Sequence, residues 1–225
     1  MLNERINHIR KAEAASHTQA YTSHALYSPG SWLAKPVKTV MDLLPLFEGY
    51  TAFRVLDLGS GVGRNCIPVA QHFSSIPCWV DCVDILELAV AKLNDNAQQY
   101  GVADHIRGFV SSIDDYEITA DSYDLIILDP PAFAKHHKVL GNALQGYKKI
   151  NARAMEKIRP GGILFTFSCS QAVSRDLFRT TIFTSAAIAK RKVRIIGQLT
   201  QPADHPINIY HPEGEYLKGL VVYVE

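Results

Sequence analysis

The 225-residue sequence lacks any run of 18 consecutive apolar residues, the shortest run expected of a transmembrane helix. Its first residues, MLNERINHIRK, are charged and have helical spacing, whereas a secretory leader places an apolar run after a basic start. We therefore expect a cytoplasmic protein without a membrane segment or signal peptide. Disorder and small disulfide scaffolds are also excluded, because 47% of the residues are hydrophobic and 20% are charged.

Cysteine is scarce, and the four cysteines lack the paired CxxC spacing of zinc sites: Cys66, Cys78, Cys82 and Cys169. This spacing predicts neither a zinc site nor a disulfide framework. The histidines show no ligand spacing either, so we expect no metal. Cys78 and Cys82 lie on a predicted core strand, and we interpret them as small buried apolar residues.

Net charge is almost absent, at +1, but the two parts of the chain differ. Residues 1–130 hold nine Lys and Arg against sixteen Asp and Glu, while residues 131–225 hold fourteen against six. A basic part beside an acidic part suggests that one surface meets an anion such as nucleic acid. Alternatively, the charges of the two parts interleave on the folded surface and the asymmetry has no function.

Hydrophobic spacing divides the chain into helices and strands. Leu2, Ile6 and Ile9, and then the apolar positions of residues 32–44, predict helices within residues 1–50. Short apolar runs then alternate with helical segments. The predicted strands cover 53–58, 77–85, 106–110, 123–129, 163–168, 193–199 and 219–224, and the predicted helices 64–73, 86–99, 142–158 and 174–190. This alternation indicates a largely parallel α/β sheet covered on both faces.

The end of the chain departs from that alternation. The segment QPADHPINIYHPEGEY joins the last two strands without a helical pattern, so these strands should pair antiparallel. Seven strands, six connected through helices and the last inserted antiparallel, resemble the Rossmann-like class I methyltransferase architecture, which binds S-adenosylmethionine. Without a repeat or linker, residues 1–225 form one predicted domain. It comprises N-terminal helices (1–50), a cofactor half (51–123) and a catalytic and target half (124–225).

A glycine-rich turn follows the first strand in the segment VLDLGSGVGRN. Alternate glycines permit a tight turn and the close approach of a ligand to the backbone. The spacing GxGxG, with Asp57 two residues ahead, differs from the GxGxxG of dinucleotide sites, and this carboxylate suits a cationic ligand end. Asp84 ends the second strand, where it can accept hydrogen bonds from ribose hydroxyls.

These two motifs resemble those of S-adenosylmethionine-dependent methyltransferases. The resemblance implies a cofactor set of Asp57, Gly59, Ser60, Gly61, Gly63 and Asp84, with Asp129 and Ser112 as further members. Ser112 follows the third strand, where such enzymes contact adenine, although an ordinary turn explains this segment equally well. A glycine turn that merely closes a strand-helix unit is the structural alternative for the whole motif.

Two further segments end predicted strands at the ligand-binding edge of the sheet. The fourth strand runs into LDPPAF (128–133), whose consecutive prolines fix φ and remove two backbone donors. This leaves a rigid platform with carbonyl groups beside the methyl donor. The fifth strand ends in FSCS (167–170), which places Cys169 at its carboxyl end.

The second half of the chain carries longer motifs. LDPPAFAK, GYKKINARAM, PGGILFTFSCSQ and QPADHPINIYHPEGEYLKG together resemble the bacterial 23S ribosomal RNA (cytosine-5) methyltransferase family over residues 124–225. Such enzymes usually carry an N-terminal RNA-binding PUA domain, which we do not find in the sequence. Residues 1–123, with YTSHALYSPGSWL, resemble a generic class I methyltransferase of undefined or small-molecule specificity. We therefore hypothesise a mosaic, natural or engineered, joined at the fourth strand.

The resemblance implies a covalent mechanism. Cys169 would add as a thiolate to carbon 6 of cytosine, which makes carbon 5 nucleophilic enough to take the methyl group. Free cysteine has a pKa of about 8.5, so a basic neighbourhood would raise the thiolate fraction at neutral pH. Asp129 would hold the cytosine edge by accepting from its exocyclic amine or, if protonated, by donating to the ring.

Other interpretations stay open at this point. Cys169 shares strand parity with Ile163, Phe165 and Phe167, which is typical of a buried core residue. Related Asp-Pro-Pro-aromatic motifs serve enzymes that methylate exocyclic amines, in which an aromatic ring stacks on the base and Cys169 would be dispensable. A methyltransferase for small molecules and a cofactor-binding module without turnover are further alternatives.

We expect the target site to bind RNA. Its substrate-binding candidates are Pro130, Pro131, Phe133, Lys135, Asp204 and His205. The resemblance places the loop of Asp204 and His205 over the active site, with His205 as a candidate general base, although Asp-His-Pro is also a plausible turn. Basic residues at 135–138, 148–159 and 190–194 could contact phosphates or simply be solvated. We expect a positive surface near Asp129, Cys169 and Lys135.

Overall fold

The computed structural model describes residues 15, 18, 19, 21, 22, 36–133, 139–201, 206–211 and 214–225. Leu2, Ile6 and Ile9 of the first predicted helix, and residues 32–35 of the second, lie outside these residues. The site candidates Lys135, Asp204 and His205 also lie outside them.

The described elements follow the predicted alternation. The first part contains α1 (Lys38–Leu43) with a 3-10 turn (Leu44–Phe47), β1 (Phe53–Leu58), α2 (Cys66–His72), β2 (Cys78–Asp84), α3 (Glu87–Gln99) and β3 (Ile106–Val110). The second part contains β4 (Leu125–Leu128), α4 (Leu140–Lys157), β5 (Gly162–Ser168), α5 (Arg175–Ala189), β6 (Val193–Leu199) and β7 (Lys218–Val224). All seven predicted strands and the four helices that follow β1, β2, β4 and β5 are confirmed.

The strands form one sheet in the order β3-β2-β1-β4-β5-β7-β6. β7 is antiparallel to both of its neighbours, and the other described pairs are parallel, so the predicted inserted last strand is confirmed. The chain moves outward in one direction from β1 and then returns to form β4 on its other side. Leu58 and Leu128, the last residues of β1 and β4, are partners in register. The carboxyl ends of β1 and β4 therefore form the switch point where such sheets bind ligands.

One connection differs from the prediction. Residues 111–124, between β3 and β4, form turns and no helix, so the expectation that helices connect six strands is wrong at this position. Aspartate and serine in SSIDDYEITADS favour turns. A polar network around the buried Asp81 carboxylate lies beside this connection: the Arg107 Nε donates to the Asp81 Oδ1 over 2.6 Å, and the Tyr123 hydroxyl donates to the Asp81 Oδ2 over 2.7 Å.

Two apolar layers cover the sheet. Val55, Val80 and Ile127 pack toward α1, α2 and α3, whereas Leu56, Ile126 and Leu164 pack toward α4 and α5. Successive residues of one strand thus reach opposite layers, as expected for a sheet covered on both faces. Cys78 and Cys82 are buried in the first layer, which confirms their interpretation as core residues. Among the described residues, no helix is long and apolar enough to cross a membrane.

Candidate active site

The glycine turn after β1 adopts backbone angles that favour glycine. Gly59, Gly61 and Gly63 have φ of 87°, 54° and 99°. A Cβ atom on Gly59 would lie 2.4 Å from the backbone oxygen of Asp129, and one on Gly63 would lie 2.6 Å from the Ile67 side chain. The turn therefore packs tightly against the end of β4 and against α2.

Buried polar atoms without partners lie at this turn. Asp57 is 1% exposed, and within the described part of the chain neither of its carboxylate oxygens has a hydrogen-bond partner. The buried Ser60 hydroxyl has no described partner either. Burial raises the pKa of Asp57 to about 8, and the charges of Asp129 and Asp84 add to this rise. Unpaired buried groups are costly, so this arrangement fits a ligand with a cationic, hydrogen-bonding end such as S-adenosylmethionine.

Asp84 braces the turn from the end of β2. Its carboxylate accepts hydrogen bonds from the backbone N–H groups of Gly61, over 3.0 Å, and Leu86, over 2.9 Å. Each oxygen keeps another acceptor position, so the geometry leaves room for the predicted bond to a ribose hydroxyl. The Ser112 hydroxyl donates to the Asp115 carboxylate over 2.6 Å and accepts from the Asp115 N–H over 3.1 Å. Its hydroxyl is thus used within a turn, and its contact with adenine stays a prediction.

No sequence pattern predicts the three further side chains that lie around the turn. The Tyr21 hydroxyl oxygen would lie 2.9 Å from a Cβ atom on Gly61. The Asn65 Oδ1 accepts from the Val37 N–H over 3.1 Å, and the Asn96 Nδ2 donates to the Val62 carbonyl over 3.0 Å. These residues come from separate segments, so only the fold brings them together.

The Asp-Pro-Pro segment continues directly from β4. The Asp129 N–H donates to the Leu58 carbonyl over 3.1 Å, which fixes the segment beside the end of β1. The Asp129 side chain is accessible to solvent, although many protein atoms surround it. These atoms raise the pKa of Asp129 to about 6, while the Arg64 guanidinium lowers it. Since water reaches this carboxylate, its charge is partly screened. Pro130 is buried and Pro131 is exposed.

Cys169 lies one residue beyond β5 and is half-buried. Its Sγ is 3.9 Å from the Pro130 carbonyl oxygen, which is within reach of a weak thiol hydrogen bond. The fold thus brings together Cys169 and the segment that holds Asp129, the two predicted catalytic residues. The other three cysteines are buried in the core.

Hydrogen bonds link the two chain neighbours of Cys169 to two further polar residues, and we call Tyr147, Ser168, Ser170 and Lys218 the Lys218 cluster. The Ser168 hydroxyl donates to the Tyr147 hydroxyl over 3.0 Å, and the Tyr147 and Ser170 hydroxyls are 2.9 Å apart. The Lys218 Nζ donates to the Ser170 carbonyl over 2.7 Å. Tyr147 and Lys218 have no role predicted from the sequence. A lysine that directly precedes the apolar run GLVVYV was the available signal for Lys218.

Electrostatics links this cluster to Cys169. Burial lowers the pKa of Lys218 to about 8, a negative charge on Cys169 raises it, and the Arg175 charge lowers it. Burial also raises the pKa of Tyr147 to about 12, and the charge of Cys169 contributes to that rise. The pKa of each group therefore depends on the charge of the Cys169 sulfur.

The predicted substrate contact Phe133 packs inward. Its ring centroid is 4.7 Å from that of Tyr147, and a Cβ atom on Gly146 would lie 3.1 Å from the ring. Phe133 is half-buried, so helix α4 covers part of the ring. This arrangement offers less aromatic surface to a base than the stacking interpretation requires.

The segment that carries Asp204 and His205 is anchored at both ends. The Gln201 Oε1 accepts from the N–H groups of Tyr216, over 3.1 Å, and Leu217, over 3.2 Å. Its Nε2 donates to the Gly214 carbonyl over 2.9 Å. Glu215 forms an ion pair with Arg175 at the start of α5. The ends of this loop are therefore held close to the Lys218 cluster.

Several basic residues that are candidates for RNA contact instead contact carboxylate or carbonyl groups of the protein itself. The Lys149 Nζ is 2.9 Å from the Asp114 carboxylate. Arg153 donates to the backbone carbonyls of Ile113, Asp114 and Tyr116. Arg191 donates to the carbonyls of Met155 and Ile158 on α4 and just after it. These contacts favour a structural role for the three residues. In the described part of the chain, no group of three or more His, Cys, Asp or Glu is placed to hold a metal ion.

Comparisons with known proteins place this site in a family. The family model of the methyltransferase small domain matches residues 39–196. A ribosomal RNA large subunit methyltransferase I from Shewanella frigidimarina is 43% identical over 137 residues, which cover 61% of this chain and 34% of that protein. The protein of the same name from Pseudoalteromonas atlantica is 38% identical over 170 residues, covering 71% of this chain and 43% of that protein. The chain thus spans less than half the length of these relatives.

The fold has solved counterparts. SMU.776, solved in complex with SAH, matches with a TM-score of 0.65 and 20% identity, covering 82% of this chain and 48% of that one. This likeness shows the fold.

The comparisons give the mosaic hypothesis no support. One family model spans both sides of the proposed junction at the fourth strand. A relative that covers 61% of the chain must also extend beyond residues 124–225, which make up less than half of it. The chain therefore belongs to the methyltransferase small domain family and has the class I fold of S-adenosylmethionine-dependent methyltransferases, which confirms the predicted enzyme class and cofactor at the level of that family.

Proposed function

We propose that this domain transfers a methyl group from S-adenosylmethionine to carbon 5 of a cytosine in ribosomal RNA, through a covalent adduct on Cys169. One observation carries the proposal: the Cys169 Sγ lies 3.9 Å from the Pro130 carbonyl, beside the residue Asp129 against which the glycine turn packs. The names of the relatives support an RNA substrate. A cytoplasmic location goes with that substrate.

The cofactor would supply an electrophilic methyl group on a positively charged sulfur. Asp57 would face its cationic end, since this carboxylate lacks a described partner and lies at the turn. The Ser60 hydroxyl would donate a hydrogen bond to the cofactor, and the Asp84 carboxylate would accept one from a ribose hydroxyl. The turn from Gly59 to Gly63 would let the cofactor reach the backbone closely.

Cys169 would act as the nucleophile. After its thiol loses a proton, its electron pair forms a bond to carbon 6, and the electrons of the carbon 5–carbon 6 double bond move to carbon 5. Carbon 5 then takes the methyl group, and the electron pair of the broken methyl–sulfur bond stays on that sulfur. A base removes the carbon 5 proton, the double bond forms again, and the bond between carbon 6 and Cys169 breaks to return the thiolate.

Asp129 and the prolines would position the base. Asp129 would accept a hydrogen bond from the exocyclic amine. Pro130 and Pro131 restrict the backbone beside it, so the carbonyl near Cys169 has a fixed direction. His205 remains our candidate for the base that removes the carbon 5 proton, and Lys135 remains a candidate phosphate contact.

Methyl transfer from labelled S-adenosylmethionine tests the proposal. Ribosomal RNA, intact ribosomal subunits and a small-molecule fraction should be assayed in parallel with the wild type, Cys169→Ala and Cys78→Ala. Cys78 is buried at the start of β2, so its variant controls for the loss of a thiol. We expect the wild type and Cys78→Ala to label RNA and Cys169→Ala to lose at least about a thousandfold in rate.

Each other result would overturn a defined part of the proposal. RNA labelling that survives in Cys169→Ala would indicate an exocyclic amine as the target, for which the thiol is dispensable. Label only in the small-molecule fraction would replace the RNA substrate. Cofactor binding by calorimetry without consumption of the methyl donor would indicate a binding module.

A further inference from the structure

Lys218 is a charged residue in an apolar strand. It is the first residue of β7, pairs in register with Ser168 of β5 and is only 7% exposed. Burying an ammonium group is unfavourable unless its surroundings compensate for the lost hydration. Packing alone therefore does not explain a lysine at this buried position.

Lys218 contacts the residue that follows Cys169 in the chain. Its Nζ donates to the carbonyl oxygen of Ser170, the residue directly after the cysteine, over 2.7 Å. Ser168, directly before the cysteine, donates to Tyr147, which also bonds Ser170. The two residues that flank Cys169 are thus held by buried polar groups, Ser168 through its hydroxyl and Ser170 through its hydroxyl and its carbonyl. The carbonyl of Ser170 is a neutral acceptor, so the positive charge stays available to act on the sulfur.

We propose that Lys218 is a positioning residue for Cys169, which fixes the Ser168–Ser170 segment and stabilises the thiolate through its buried ammonium. This inference rests on the proposed function, in which Cys169 is the nucleophile. Tyr147 completes the arrangement, because its hydroxyl joins the two serines on either side of the sulfur.

Charged and titratable groups face this sulfur from several elements. Lys218 approaches from β7 and Tyr147 from α4. Asp129 lies at the end of β4, next to the proline whose carbonyl contacts the Sγ. Arg175, at the start of α5, is paired with Glu215. Asp129 opposes a thiolate and the two cations favour it, and the burial of Lys218 makes its charge the less screened of these two.

The pH dependence of Cys169 alkylation tests the inference. Iodoacetamide labelling of the full chain should be followed at the Cys169 peptide by mass spectrometry, so the three buried cysteines do not interfere. We expect Lys218→Met to move the midpoint of the rate profile upward by about one pH unit. The rate at pH 7 should then fall about tenfold while the plateau at high pH stays unchanged. Lys192→Met, at an exposed lysine, is the control and should keep the wild-type midpoint.

A purely structural role predicts a different result. Loss of packing would change the plateau rate through exposure of the thiol and leave the midpoint in place. Lys218→Arg retains the charge and should restore most of the wild-type midpoint if it folds, as checked by cofactor binding. An unchanged midpoint in folded Lys218→Met would overturn the inference.

A reciprocal measurement covers the case in which Lys218→Met does not fold. In Cys169→Ala, the lysine remains and the thiolate is removed, so NMR titration of labelled lysines should show a lower Lys218 midpoint than in the wild type. An unchanged midpoint would contradict the coupling. Neither experiment requires methyl transfer, so failure here leaves the proposed function standing. RNA labelling by Cys169→Ala would overturn that function whatever the titrations show.

Discussion

Asp57 is a carboxylate that the folded protein buries, with no described hydrogen-bond donor. Its pKa is raised to about 8, first by burial and then by Asp129 and Asp84. The native protein therefore holds this proton more tightly than the unfolded chain, in which the pKa is about 4. Between these two values, the stability of the cofactor-free protein falls as the pH rises. The cost is absent below about pH 4 and complete above about pH 8.

Replacement of Asp57 by asparagine, its neutral isostere, tests the predicted direction of this pH dependence. We expect Asp57→Asn to be stabilised relative to the wild type, with a gain in unfolding free energy that grows by about 2 kcal/mol or more between pH 5 and pH 8. Urea denaturation of the cofactor-free proteins at both pH values measures it. Asp95→Asn, on the exposed side of α3, should show no such growth.

The same variant reports on the cofactor. An ionised Asp57 would pair with the cationic end of S-adenosylmethionine, so the amide should weaken binding about tenfold to a hundredfold, as measured by calorimetry at pH 7.5. Unchanged affinity would place the cationic end elsewhere. The stability result would stand in that case, since it depends only on burial.

The turn between β1 and α2 is an element in which backbone angle and close packing act together. Gly49 and Gly59 have nearly the same φ, 93° and 87°, but different surroundings. A Cβ atom on Gly49 would meet no atom within 4 Å, whereas one on Gly59 would lie 2.4 Å from the Asp129 oxygen. The pair therefore separates the cost of the backbone angle from the cost of the clash.

We expect Gly49→Ala to lose about 1 kcal/mol in unfolding free energy, from the positive φ alone. Gly59→Ala should lose at least about 3 kcal/mol and also lose cofactor binding, because the turn must move away from β4. Thermal and urea denaturation with calorimetry provide the comparison. Equal losses in the two variants would show that the contact with Asp129 is not tight.

The loop before β7 depends on one amide side chain. Gln201 satisfies two N–H groups and one carbonyl of residues 214–217. In Gln201→Ala these groups lose their partner, so the amides of Tyr216 and Leu217 should exchange with solvent about tenfold faster or more. Hydrogen exchange with Gln198→Ala, an exposed change on β6, as the control measures this. Unchanged exchange would mean that the loop is held without Gln201.

Local patterns made some elements predictable and left others beyond reach. Strand β3 was predicted with its observed bounds, because its apolar run is short and bounded by turn residues. The same local reasoning predicted that Asp57 and Asp84 lie at one edge of the sheet, since each lies at the carboxyl end of a parallel strand. Lys218 and Tyr21 were missed because their neighbours come from distant segments, and a pattern within one segment carries no information on such contacts.

Across the whole molecule, the charge asymmetry along the sequence is partly cancelled by the fold. Arg159 lies in the basic part and forms a 2.6 Å ion pair with Asp124 of the acidic part. Lys149 pairs with Asp114 in the same way. The alternative of interleaved charges therefore accounts for part of the asymmetry. Fewer cations than the sequence suggests are therefore left to contact RNA. The positive surface expected near Asp129 and Cys169 stays a prediction, which RNA binding measurements test.

Arg153 decides between a structural and an RNA-binding role for the basic face of α4. Its guanidinium caps three carbonyls of residues 113–116, so in Arg153→Met these carbonyls lose a charged donor. We expect unfolding free energy to fall by about 1 to 3 kcal/mol in urea denaturation. RNA affinity of the folded variant should stay within about threefold of the wild type, with an unchanged slope of log affinity against log salt. Arg179→Met, at an exposed position on α5, is the control for loss of one positive charge. A slope reduced by about one in Arg153→Met alone would mean that Arg153 neutralises a phosphate, and the connection between β3 and β4 would then lie at the RNA interface.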